Sequence, residues 1–142
     1  MALTVQVTFD AADPAALAGF WKRAMDYNEE PPPDGWDSWE AWATEKGIPE
    51  ERWNDQSAIV DPEGNGPRVY FQRLPEAKAG KNRVHLDVRS APGLDGDARR
   101  ARLDERAEEL IALGATKLYE KEERGAYWVT IQDPEGNEFC LD

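Results

Sequence analysis

A chain of 142 residues with 29 Asp+Glu against 17 Lys+Arg, a formal net charge of −12, has the length of one domain or of two small halves sharing a core. With a pI near 4.5 it has no basic surplus to displace counterions, which excludes nucleic-acid backbones as partners and disfavours anionic membranes. The lone Cys140 excludes an internal disulfide framework, no stretch is apolar enough to span a bilayer, and Met1–Gln6 lacks the pattern of a signal peptide, so a cytoplasmic protein is expected.

Leu3 to Phe9 alternates, with Leu3, Val5, Val7 and Phe9 on one face and Thr4, Gln6 and Thr8 on the other, which predicts a half-buried strand. Asp13-Pro14 then reads as N-cap and first helical residue of a helix ending near Tyr27, with Leu17, Phe20, Trp21 and Ala24 on its apolar face. Beyond Pro31-Pro32-Pro33, Asp37-Ser38-Trp39-Glu40 predicts a second helix start with the acid at the cap. Gly47 and Pro49 stop it, and Pro49 to Arg52 opens a further short turn. Strands are expected over 56–61 and 68–73, around the turn Asp61-Pro62-Glu63-Gly64-Asn65. The polar segment 74–81 is the best linker. Downstream, Arg83 to Arg89 alternates again, with His85 and Asp87 opposite Val84, Leu86 and Val88. Residues 97–113 form an amphipathic helix closed by Gly114. Strands are expected over 115–121, 126–132 and 138–141.

Asp-Pro-Glu-Gly-Asn occurs at 61 and again at 133, each time between two strands and downstream of a strand and a helix. The whole chain therefore reads as two β-α-β-β-β modules, about 3–73 and 83–142, in a single α+β domain spanning 1–142. Module one carries an insertion, about 28–55, with four of the six tryptophans: Trp36, Trp39, Trp42 and Trp53. Each helix covers one sheet face. The opposite faces hold Gln6, Thr8, Tyr70, Gln72, His85, Asp87, Trp128, Thr130 and Cys140. Curved mixed sheets facing one another would line a central cavity with these groups.

This order, carried by Asp13-Pro14 with Phe20-Trp21, by Gly66 through Arg73, by Lys81 through Val88, and by Trp128 through Leu141, resembles the vicinal oxygen chelate superfamily, the glyoxalase/bleomycin resistance/dioxygenase fold. More narrowly it is similar to glyoxalase-like proteins of high-GC Gram-positive bacteria. The resemblance implies a homodimer and, in metal-dependent members, four ligands on the first and last strands of each module. The corresponding positions are Gln6, Gln72, His85 and Cys140, of which only His85 has the usual donor type, so no metal cofactor is expected. Asp87, on the strand face of His85, is the one extra carboxylate able to alter that reading.

The function expected is metal-independent binding, of sequestering or resistance type, of a small organic ligand. Gln6, Gln72, His85 and Asp87 would supply polar contacts, beside Tyr70, Trp128 and Cys140. Trp36, Trp39, Trp42 and Trp53 would form an apolar lid, or simply dock the inserted helix. The alternatives are a metal-dependent lyase, isomerase or dioxygenase, and an interaction domain whose cavity is filled by side chains. No catalytic residue can be named, because His85 has no companion nucleophile or second base.

Overall fold

In the computed structural model, which describes residues 1–142, the chain divides within the expected linker, giving the units Met1–Ala77 and Lys78–Asp142. The first contains β1 (Val7–Ala11), α1 (Pro14–Met25), β2 (Asn28–Glu29), α2 (Trp39–Glu45), a 3-10 turn (Glu50–Asp55), β3 (Gln56–Val60) and β4 (Val69–Arg73). Its sheet runs β1-β4-β3-β2, with β1 parallel to β4 and the other pairs antiparallel. The period-two pattern turns Ile59, Val69 and Phe71 towards α1, whose Leu17, Phe20, Trp21 and Ala24 are buried with them. Phe9 closes this core, its ring 4.9 Å from Trp21 and 5.4 Å from Phe71. The other face carries Thr8, Asp10, Ala58, Tyr70 and Gln72.

The second unit contains β5 (Asp87–Val88), α3 (Gly96–Ala112), β6 (Thr116–Glu123), β7 (Ala126–Gln132) and β8 (Glu138–Leu141), with sheet order β5-β8-β7-β6 and β5 parallel to β8. Strand for strand this is the order of the first unit, so the repeat seen in the turns is a repeat of topology. Leu103, Ala107 and Leu110 of α3 bury against Val129, Ile131, Phe139 and Leu141. The duplicated pentapeptide has one mechanism in both places. Asp61 accepts the N–H groups of Glu63, Asn65 and Gly66, and Asp133 accepts those of Glu135 and Asn137, so each aspartate folds the turn around its own carboxylate.

Four local expectations are corrected. The first strand begins at Val7 rather than Leu3. Its parallel partner β4 begins at Val69, and Pro67, which has no N–H, precedes it, so Met1–Gln6 finds no ladder and Leu3 and Val5 stand exposed. The strand expected over 83–89 shrinks to Asp87–Val88. Asn82 takes the β8 carbonyl of Glu138 with its side-chain amide and the Glu138 carboxylate with its backbone N–H, so His85 lies ahead of the strand. The cap of α2 is Ser38, whose Oγ accepts the Ala41 N–H at 3.0 Å, and not Asp37. The insertion expected over 28–55 begins instead with a strand of the sheet, β2, whose two residues are too short to leave a pattern.

Candidate functional site

The insertion encloses space. Trp39 and Trp42 lie three residues apart on α2 with their rings nearly perpendicular, at 85° and 5.6 Å between centres. They and Trp53 wall a cavity of about 650 Å³ in the first unit, bounded by Ala15, Ala18 and Gly19 of α1 and by Gln56 and Ala58 of β3. The volume is that of an ordinary small-molecule pocket. It exists because α1 presents small residues here; a Cβ added at Gly19 would meet nothing within 4 Å. The indole N–H of Trp39 donates to the Glu30 carbonyl at 2.8 Å and that of Trp53 to the Ile48 carbonyl at 2.9 Å, which orients both rings. Asn54 anchors the far end of the insertion: its Oδ1 accepts the Ala15 N–H and its Nδ2 donates to Asp13, so the insertion shares in capping α1. That amide, followed by the Ala16 N–H, holds the Asp13 carboxyl below the usual range. Trp36, predicted with the other three, is half-buried and does not line the cavity.

At one rim Arg68 forms a two-pronged pair with Glu30, both bonds 2.7 Å, and donates to Gln6 Oε1 at 2.9 Å. Its guanidinium also lies over Tyr70, 5.2 Å from the ring centre. Gln72 donates to Asp10 at 2.8 Å and Gln6 to Thr8 at 3.2 Å. The two glutamines expected to orient a ligand thus engage groups within their own unit. Arg68, Glu30 and Asn54 escaped the sequence reading: their partners are tens of residues away, and only the placement of Arg68 on the Tyr70 side of the strand alternation hinted at it.

In the second unit His85, Asp87 and Cys140 meet. His85 Nε2 is 3.3 Å from Asp87 Oδ1, and the ligating atoms of all three residues lie within 4.8 Å of one another. Register explains the meeting, since Asp87 pairs with Cys140 across β5 and β8, and Thr130 pairs with Cys140 across β7 and β8. Trp128 shares this face, under Lys121 at 5.7 Å. Burial pushes the Cys140 thiol up, and although Thr130 Oγ1 at 3.4 Å opposes this, the charge of Asp87 adds to the rise.

These donors do not fit a hard divalent ion. Such a site asks for several carboxylates or imidazoles, whereas this unit offers one of each beside a thiol that stays protonated near neutrality. Gln6 and Gln72, at the other positions of the family pattern, are neutral amides already hydrogen-bonded within their own unit.

Comparison with known proteins agrees with this architecture. A family model described as a glyoxalase-like domain matches residues 6–141. No curated protein matches the chain. Among solved structures, the fosfomycin resistance protein FosX from Mesorhizobium loti superposes with a TM-score of 0.62 at 15% identity, covering 99% of this chain and 90% of that one. A FosX variant from Listeria monocytogenes, complexed with Mn(II) and 1S,2S-dihydroxypropylphosphonic acid, gives 0.64 at 12% identity, with 99% and 91% covered. A glyoxalase/bleomycin resistance protein/dioxygenase family enzyme from Burkholderia phytofirmans gives 0.58 at 15% identity, with 97% and 94% covered. At such identities the structures speak for the fold alone. With the family model spanning nearly all of both units, the chain belongs to the glyoxalase-like domain family.

Proposed function

We propose that this protein binds a small organic molecule without a metal, in the cavity between the tryptophan-bearing insertion and the body of the first unit. The observation that carries the reading is the cavity itself: about 650 Å³, walled by three tryptophans of which two are locked by their own N–H bonds. Sequestration of a toxic compound is the role this suits, since binding there needs no reactive group. A single buried cysteine kept as a free thiol suits a reducing, cytoplasmic setting.

Tryptophan fluorescence and thermal unfolding against a broad small-molecule library test this directly. Hits are expected to change emission and raise the melting temperature, and Trp42→Ala is expected to weaken them roughly tenfold or more, as loss of a buried aromatic contact does. A library that moves neither signal removes the reading.

The cluster of His85, Asp87 and Cys140 favours a second reading, a metal-dependent lyase, isomerase or dioxygenase. On the donor chemistry, Mn²⁺, Fe²⁺, Ni²⁺ or Zn²⁺ is expected to leave the melting temperature unchanged, and protein purified without chelator is expected to hold no stoichiometric metal. A metal-dependent rise that disappears in Cys140→Ser or His85→Ala would establish the second reading instead.

A further inference from the structure

We infer that the ligand of the insertion cavity is an organic cation, an alkylated ammonium group carried on an apolar or aromatic body; this rests on the binding reading above. Four features of the cavity point the same way. The near-perpendicular rings of Trp39 and Trp42 form two walls of a corner, and the negative quadrupole of an indole face attracts positive charge. The N–H groups of Trp39 and Trp53, which would otherwise serve an anion or a carbonyl, are spent on the Glu30 and Ile48 carbonyls, leaving those rings to offer π-surface. The lining holds four carboxylates, Glu29, Glu30, Glu40 and Asp55, against two guanidiniums. Both guanidiniums are occupied, Arg68 by Glu30 and Arg52 by Asp55, whereas the Glu40 carboxylate makes no ion pair.

An anionic ligand would therefore have to break an existing pair before it met a cation. A cationic one meets aromatic faces and an unpaired carboxylate, within a molecule whose net charge of −12 raises its local concentration.

The test is calorimetric titration, with tryptophan fluorescence in parallel, using three probes of one shape. They are benzyltrimethylammonium, its uncharged carbon isostere neopentylbenzene, and benzylphosphonate. The cation is expected to bind about tenfold more tightly than the isostere, the increment a partly desolvated cation–π contact provides, and the phosphonate is expected not to bind. Trp42→Leu, which keeps an apolar wall without a π-face, is expected to cut the preference to about threefold, the share that Glu40 supplies. Glu40→Gln, at an exposed position where folding is not at stake, is expected to weaken the cation about threefold and leave the isostere unchanged. Equal or tighter binding of the isostere, or binding of the phosphonate, overturns the inference while leaving small-molecule binding intact. If neither these probes nor the broad library binds, both fall.

Discussion

A carboxylate that gathers three backbone N–H groups is a turn and a titration device at once. The N–H groups of Glu63 and Gly66, and less strongly that of Asn65, hold the Asp61 carboxyl below its ordinary range. A carboxyl depressed in the folded state contributes stability that is present above its unfolded value, about 3.9, and is lost as pH falls through the folded value. Asp13, held down by Asn54 and Ala16, has the same sign. The urea midpoint is expected to be flat around pH 6 and to fall below about pH 4, and Asp61→Asn is expected to remove part of that fall. An acid profile identical in wild type and variant would show that the turn does not couple to protonation. Among the site residues, the partnership of Trp39 and Trp42 was legible because helical spacing is local. That of Asn54 with Asp13 was not, since 41 positions separate them and nothing in either residue's neighbourhood names the other.

At the scale of elements, α1 serves both the core and the cavity. Its Leu17, Phe20 and Trp21 face the sheet, whereas Ala15, Ala18 and Gly19 recede beneath the insertion. Gly19 sits inside the helix with open space beside it, so Gly19→Ala is expected to raise stability by up to about 1 kcal/mol, measured by denaturant unfolding. Gly19→Leu is expected to keep the fold and push a side chain into the cavity, so that ligand-induced fluorescence changes weaken while the melting temperature holds. Unaltered binding in that variant would place the ligand elsewhere. Strands β7 and β8 and helix α1 follow the sequence pattern closely because alternation, caps and turn residues encode them locally. Strands β1 and β5 came out shorter than their alternation suggested, because a strand extends only as far as its partner offers N–H and carbonyl groups, and Pro67 and Asn82 end that offer.

The whole molecule leaves apolar side chains without cover: Leu3, Val5 and Val84 expose 91%, 73% and 81% of their surface. Each lies in the segment leading into the first strand of its unit. Burying such a side chain stabilises by roughly 1.5–3 kcal/mol, so exposing several is costly for a monomer. We propose a second copy of the chain as the cover. Sedimentation equilibrium is expected to give twice the 16.0 kDa chain mass, and Leu3→Asp combined with Val5→Asp is expected to shift it to one. A monomer at micromolar concentration in the wild type would refute the homodimer.

The insertion joins β2 to β3, which are antiparallel neighbours, and the matching strands of the second unit, β6 and β7, are joined by Arg124 and Gly125 alone, both with positive φ as a tight hairpin requires. Residues 30–55 are thus, in topological terms, an overgrown hairpin loop. Closing the longer loop costs only about 2 kcal/mol more than closing the short one, because that entropy grows with the logarithm of length. Selection can therefore lengthen or exchange most of this segment at the cost of few contacts with the sheet, chiefly the Glu30 N–H to the Ala58 carbonyl, and ligand preference can drift in a lineage while the scaffold stays constant.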